Sequence, residues 1–161
     1  MRNKYGNICF ICLDNTNGFW GISMKEDKRN YTAFVHKDKQ YLYRKLPMGL
    51  NNSAAIYSKL LQIELNKFEN KYTKTYCYVD DVLLLVPEIH AIDILAQFMQ
   101  FLCDRNFVIS LNKLQLFKTE ISYLGYVLNM TGLKTDPKKM ASLQNIKNPN
   151  TIAAAQVITG I

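Results

Sequence analysis

A mixed α+β fold, with an antiparallel sheet carrying helices on one face, is predicted by three observations. Short apolar runs rich in β-branched and aromatic residues alternate with two longer stretches whose apolar residues recur at helical spacing. No internal repeat, low-complexity tract or Gly/Ser linker interrupts that alternation. The chain has 161 residues, 48% of them apolar, which is enough to bury one core and leaves little for a second. The expectation is one domain spanning residues 1–161.

Each element has its own justification. Residues 8–13 (Ile-Cys-Phe-Ile-Cys-Leu) read as a strand closed by Asp14. Residues 31–36 and 41–46 read as a hairpin joined across Lys37-Asp38-Lys39-Gln40. Residues 52–70 read as a helix, because Ile56, Leu60 and Ile63 recur at helical spacing while Tyr57, Leu61, Leu65 and Phe68 widen the stripe. Residues 75–79 and 82–86 form a second hairpin. Residues 87–104 form a second helix through Ile89, Ile92, Leu95, Met99 and Leu102. Both helical stripes are expected to face the core. Strands follow at 107–110, 114–117 and 122–129, and Pro137 opens a basic helix expected to run to residue 146.

The hairpin at 75–86 carries two adjacent carboxylates, Asp80 and Asp81, at its tip. Asp is also a common turn residue, and an isolated pair is explained equally well that way. A third carboxylate, Asp14, at the end of the first strand changes the balance, because three converging acids repel one another unless a cation meets them. Hard divalent ions such as Mg²⁺ take oxygen ligands, and a close pair of them clamps the attacking and leaving oxygens of a phosphoryl transfer. The chemistry that such a site suits is nucleotidyl transfer.

The formal charge of +7 and a pI near 9.2 suit a polyanionic partner. No apolar run reaches membrane-spanning length and the N-terminus lacks signal-peptide features, so no membrane partner and an intracellular, cytoplasmic or particle-associated location are expected. Cys9, Cys12, Cys77 and Cys103 fall within predicted strands or a helix and read as reduced core residues. Cys9 and Cys12 are three apart on a strand, so they point to opposite faces and do not form a metal pair. His36 and His90 read as an ordinary strand-end and helix-start residue.

The ordered motifs Leu13-Asp14-Asn15-Thr16-Asn17-Gly18-Phe19-Trp20-Gly21-Ile22-Ser23-Met24, Tyr31-Thr32-Ala33-Phe34, Leu46-Pro47-Met48-Gly49-Leu50-Asn51-Asn52-Ser53-Ala54, Tyr78-Val79-Asp80-Asp81 and Tyr123-Leu124-Gly125-Tyr126 resemble those of reverse transcriptases. Their order and spacing are most similar to the gypsy-type LTR retrotransposon and retroviral branch. The resemblance runs from about residue 8 to the C-terminus. It implies a polymerase palm-like antiparallel sheet with helices packed on one face, partial fingers and a truncated thumb. Palm and partial fingers would occupy about residues 8–130, and the start of the thumb or connection about 131–161.

Carried over by position, the resemblance implies that Asp14, Asp80 and Asp81 are catalytic metal ligands. Asp14 and Asp80 would hold two Mg²⁺ ions, with Mn²⁺ able to substitute, and Asp81 would support them. Phe19 would close the floor under the sugar and disfavour a ribose 2′-hydroxyl, although a core aromatic has the same pattern. Asn17 and Gly18 would present backbone N–H groups to the dNTP, Gly18 having no Cβ to block the approach. Met48 and Gly49 would cover the incoming nucleotide, with Gly49 permitting close packing and Asn52 or Ser53 capping the helix that follows. Lys113 would protonate the pyrophosphate leaving group, a surface lysine being the alternative. Tyr123, Leu124, Gly125 and Tyr126 would grip the primer, and a structural aromatic pattern would explain them equally.

RNA template, DNA primer and dNTPs are the implied partners, together with RNase H and integrase segments of an intact Pol polyprotein. Departures from the pattern are also present: Met48 stands where Gln or Phe is usual, Ala54 where Pro is common, and only 13 residues precede Asp14, where the family places most of its fingers. Two classes of function are therefore expected. One is an RNA-directed DNA polymerase fragment with weak or no activity by itself. The other is a noncatalytic retroelement remnant that binds nucleic acid through Lys25, Lys28, Arg29, Lys37, Lys39, Arg44, Lys45 and Lys138, interleaved with Tyr31, Tyr41 and Tyr43. A solvated basic face is the plainer explanation of those cations.

Overall fold

Apolar strand residues dictate the centre of the molecule. A computed structural model describes residues 6–16, 18–144, 151, 152 and 156. In chain order the first compact unit, Met1–Thr119, contains β1 (Ile8–Asp14), a single helical turn α1 (Gly18–Gly21), the short strands β2 (Phe34–His36) and β3 (Lys39–Tyr41), α2 (Ser53–Leu65), β4 (Lys74–Tyr78), β5 (Asp81–Pro87), α3 (Ala91–Asp104) and β6 (Gln115–Lys118). Four strands form an antiparallel sheet in the order β4-β5-β1-β6, and β2 and β3 form a separate two-stranded ribbon. The second unit, Glu120–Ile161, contains the antiparallel meander β7 (Glu120–Tyr123), β8 (Tyr126–Asn129) and β9 (Gly132–Thr135), followed by α4 (Pro137–Gln144).

The main core cluster lies on one face of the four-stranded sheet, and Phe10, Cys12 and Leu83 are buried on the other. Side chains alternate across a strand, so Cys9, Ile11 and Leu13 of β1 and Val82, Leu84 and Val86 of β5 share a face. All six are buried in one cluster with Tyr57, Leu61 and Leu65 of α2 and Ala91, Ile94, Phe98, Phe101 and Leu102 of α3. The predicted α+β class and the packing of helices on one face are borne out. Phe68, just past α2, adds edge-on ring contacts with Phe98 and Phe101 at centroid separations of 4.9 and 5.2 Å.

Several local expectations are corrected. The α2 stripe is rotated: Ile56, Leu60 and Ile63 are each more than 40% exposed, whereas Ser53, Tyr57, Leu61 and Leu65 form the buried seam. α2 has apolar residues on both sides, so spacing did not indicate which side faces the sheet. In α3 the seam is Ala91, Ile94, Phe98, Phe101 and Leu102, while Ile89 and Ile92 are exposed. The hairpin expected over 31–46 is shorter, because Tyr31 and Thr32 end a 3-10 turn (Glu26–Thr32) that opens with Glu26 and Asp27. Its reversal is the two-residue Lys37-Asp38 loop, both with positive φ (47° and 57°), the backbone of a type I′ turn. Residues 107–110 contribute one bridge, Asn15 to Ile109, instead of a strand.

The run 122–129 folds as two strands reversing at Leu124-Gly125. α4 covers 137–144, and residues 145 and 146 of its expected extent lie outside the described residues. Cys9 and Cys12 are buried free thiols as expected; Cys103 is exposed, on the outer side of α3. His36 ends β2 and His90 immediately precedes α3, where its ring stacks on Tyr72 at 4.3 Å.

The rotated seam of α2 predicts unequal costs for neighbouring leucines. Leu61→Ala should destabilise the fold by about 2–5 kcal/mol and Leu60→Ala by less than about 1 kcal/mol, measured by urea unfolding. Equal costs would contradict the observed orientation of α2.

Candidate active site

The site is built by register. β1 pairs with β5 over seven positions ending at Asp14 opposite Asp81, and β4 pairs with β5 up to Tyr78 opposite Asp81, leaving Val79 and Asp80 as the two-residue tip. Asp14 and Asp81 lie an odd number of residues from Ile11 and Leu84, so they project from the face opposite the helices. The cross-strand geometry sets directly opposite Cβ atoms about 4.5–5.5 Å apart. Val79 adopts φ 52°, a conformation that a β-branched residue reaches only when its surroundings impose it, at a cost of order 1–3 kcal/mol. The strain sits where the tip must present Asp80. The backbone N–H of Asn15 donates to the Asp80 carbonyl at 3.0 Å and that of Ser110 to the Asp14 carbonyl at 2.9 Å, fixing both tips from the flanking chain.

Electrostatics agree with three acids at close quarters. Burial, followed by the charges of Asp80 and Asp14, raises the Asp81 carboxyl above the ordinary carboxylate value, and Lys113 only partly opposes this. The Cys12 thiol, on the same face, is pushed up to about 11 by burial and then by Asp81 and Asp14. Asp14 is largely buried and its Oδ2 accepts from Lys113 Nζ at 2.9 Å. That bond, reinforced by the Asp14 charge, raises the Lys113 ammonium above its ordinary value. Hard carboxylate oxygens whose repulsion Lys113 offsets only in part are a donor set that fits Mg²⁺. The side chains as they stand, with Lys113 on Asp14, do not form a cluster of three or more His, Cys, Asp or Glu ligands among the described residues.

The residues expected to face a nucleotide are tied to the same strand. Asn15 Nδ2 donates to the Tyr57 hydroxyl at 2.6 Å, a buried bond between β1's exit and α2. The Tyr57 ring lies 4.9 Å from that of Phe19, tilted by 31°. Gly18 is pressed so closely to Tyr57 that a Cβ there would collide with the tyrosine ring. The need for glycine thus comes from Tyr57, a reason that sequence spacing did not reveal. Gly49 shows the converse: a Cβ would meet open space, and its φ of 88° accounts for the glycine, correcting the expectation of close packing. Met48 is 60% exposed on that loop. Asn52 makes no side-chain cap; Ser53 Oγ instead donates to the Pro47 carbonyl at 2.7 Å, pinning the loop to α2. Asn17 lies outside the described residues. Tyr123, Leu124, Gly125 and Tyr126 form the β7–β8 reversal in the second unit, with positive φ at Leu124 and Gly125 (52° and 78°).

Of the predicted site residues, then, the first unit brings together Asp14, Asp80, Asp81 and Lys113, and links Gly18 and Phe19 to them through Asn15. Sequence reasoning missed Asn15 and Tyr57. An Asn within an otherwise apolar-to-acidic strand exit was the available signal for Asn15; Tyr57 was hidden among other apolar residues of α2. The cations proposed for nucleic acid are partly engaged: Lys28 pairs with Asp27 at 3.3 Å, Arg29 with Glu26 at 3.8 Å, and Lys45 Nζ donates to Ser23 Oγ at 3.1 Å.

Residues 1–128 match the family described as "Reverse transcriptase (RNA-dependent DNA polymerase)". The chain belongs to the reverse transcriptase family. Among curated relatives, the retrovirus-related Pol polyprotein from transposon opus of Drosophila melanogaster is 29% identical over 94% of this chain and 15% of its own length. The Gag-Pol polyprotein of walleye dermal sarcoma virus is 29% identical over 94% of this chain and 9% of its own length. The chain therefore spans a small part of these Pol polyproteins. Among solved structures, the foamy viral protease-reverse transcriptase in complex with RNA/DNA hybrid superposes with a TM-score of 0.80 at 27% identity, covering 94% of this chain and 20% of that one. The same protein's form bound to double-stranded DNA gives 0.82 at 27% identity, covering 94% and 26%. This reverse transcriptase segment shares their mixed helix and antiparallel-sheet architecture, and no helix among its described residues is long and apolar enough to cross a membrane.

The buried Asn15–Tyr57 bond predicts a double-mutant signature. Tyr57→Phe should cost about 1–3 kcal/mol by leaving the Asn15 amide unsatisfied, and Asn15→Leu in that background should recover most of it. Thermal or urea unfolding of the three variants checks this, and additive losses would refute the coupling.

Proposed function

We propose that this chain supplies the catalytic core of an RNA-directed DNA polymerase, adding dNTPs to a primer 3′ end on an RNA or DNA template within a larger Pol polyprotein that also carries RNase H and integrase segments. The observation that carries this reading is the register that sets Asp14 opposite Asp81, with Asp80 at the adjoining tip, on the helix-free face of the sheet. Asp14 and Asp80 would hold two Mg²⁺ ions, replaceable by Mn²⁺, with Asp81 supporting them. When bound, the ions lower the pKa of the primer hydroxyl and offset charge on the triphosphate. The primer 3′ oxygen attacks the α-phosphorus of the dNTP, a new phosphodiester bond forms, and the bond to the β-phosphate breaks to release pyrophosphate.

The remaining residues serve that transfer. Lys113, now on Asp14, carries a proton within reach of the site and would deliver it to pyrophosphate once a metal takes over the carboxylate. Backbone groups at Asn17 and Gly18 would face the triphosphate, Phe19 would sense the sugar, and the Met48-Gly49 loop would cover the base. Tyr123, Leu124, Gly125 and Tyr126 would hold the primer end. The foamy viral relatives solved with RNA/DNA hybrid and with double-stranded DNA support a template and primer as partners.

Primer extension on an RNA template with Mg²⁺ tests the reading. Asp80→Asn should lower extension at least about a hundredfold without lowering thermal stability, since it removes one of three repelling charges. Water-proton relaxation during Mn²⁺ titration should show binding that Asp14→Asn and Asp80→Asn abolish. Absence of extension and of metal binding, with salt-sensitive RNA binding retained, would instead support the noncatalytic nucleic-acid-binding reading.

A further inference from the structure

The geometry points to Tyr57 of α2 as a positioning residue that sets sugar selectivity by buttressing Phe19. This inference rests on the nucleotide-site reading above and names a determinant outside the residues that would touch the substrate. Tyr57 is 3% exposed and makes three separate ties to the segment between Asp14 and Phe19. Its hydroxyl accepts from Asn15, its ring abuts Gly18 closely enough to exclude a Cβ, and the same ring lies against Phe19. Asn15 in turn donates its backbone N–H to Asp80, so one side chain on α2 is connected to both carboxylate-bearing turns.

Besides Tyr57, the segment's start is held by the Asn15–Ile109 bridge and by the Thr16 N–H, which donates to the Val108 carbonyl at 2.6 Å; the turn that carries Phe19 lies beyond these ties. A cavity of about 520 Å³ lies beside it, lined by Asn15, Thr16, Gly18, Trp20, Gly21 and Ile22 on the segment's side and by Tyr57, Leu60 and Leu61 from α2, among others. α1 is a single turn of four residues and none of them is buried. A ring that must stop a 2′-hydroxyl works only if it cannot yield, and a partly buried Phe19 beside a cavity is held back by what it rests on. Tyr57 is that support. Its flat, two-torsion ring, packed between Gly18 and Phe19, is stiffer than an aliphatic side chain. α2 also starts with Ser53 bound to the Pro47 carbonyl, so the helix positions the Met48-Gly49 loop as well as the sugar floor.

The test uses the full chain bound to an RNA template and a DNA primer ending in a dideoxynucleotide, with Mg²⁺. Binding is read from the fluorescence of Trp20, the chain's single tryptophan and Phe19's neighbour. Thymidine triphosphate is compared with 5-methyluridine triphosphate, which differs only by the 2′-hydroxyl. The unsubstituted chain should favour the deoxynucleotide by about tenfold or more, and Tyr57→Leu should bring the ratio to within about threefold, while Tyr57→Phe, which keeps the ring, retains it. In a Phe19→Ala background, Tyr57→Leu should change the ratio no further, a non-additivity that general loosening of the fold would not produce. If Tyr57→Leu fails to melt cooperatively, Tyr57→Met takes its place. An undiminished ratio in the ring-less variant, or an additive loss with Phe19→Ala, overturns the inference while leaving the site reading intact. Failure of the unsubstituted chain to bind either nucleotide overturns both.

Discussion

The seven-residue antiparallel register between β1 and β5 is the constraint on which the rest of the structure depends. Shifting it by one residue would turn every side chain of a strand to the opposite face. Ile11 and Leu84, both fully buried, would leave the core, and Asp14 would enter it. Burying an aliphatic side chain is worth about 1.5–3 kcal/mol, and five strand residues on the helical face, Ile11, Leu13, Val82, Leu84 and Val86, contribute in this way. Two carboxylates 4 Å apart repel by about 4 kcal/mol at the effective dielectric of a protein surface. The apolar face therefore outweighs the repulsion and holds Asp14 opposite Asp81 whether or not a cation is present. The core is what makes an acidic site persist.

α2 carries that order outward. Its buried seam, Ser53, Tyr57, Leu61 and Leu65, runs one residue per turn from the Pro47-Met48-Gly49 loop to the core. Tyr57, Leu61 and Leu65 join the cluster packed on β1 and β5, so the helix cannot rotate without opening the core. From that anchored helix Ser53 binds the Pro47 carbonyl, and Tyr57 reaches from the cluster to Asn15 and Phe19. The turns that carry Asp14, Asp80 and Phe19 are thereby fixed to a common frame by hydrogen bonds and ring contacts, each of which closes a polar group or a gap.

Legibility in the sequence followed how one-sided each pattern was. β1, β4 and β5 were readable because their apolar runs stop at Asp14 and at the Asp80-Asp81 pair, so the acids mark the strand ends. The orientation of α2 was not readable, because Ile56, Leu60 and Ile63 make a stripe as regular as Tyr57, Leu61 and Leu65. Only the sheet chooses between them. Tyr31 and Thr32 favour a strand locally, yet the turn begun by Glu26 and Asp27 claims them. The three acids were singled out because they end apolar runs, and Lys113 only through the family resemblance; the ion pair between Lys113 and Asp14 joins residues 99 positions apart and had no local signal.

By itself the sequence determined the α+β class, the strands that end in carboxylates and the membership in the reverse transcriptase family, since these reside in the residue types of short runs and in their order along the chain. Tertiary structure decided which helix faces are buried, why Gly18 is glycine, and that Asn15 and Tyr57 bind one another. Those outcomes depend on surfaces brought together from distant parts of the chain, where steric exclusion and the cost of an unpaired buried polar group act only after folding has made the contact.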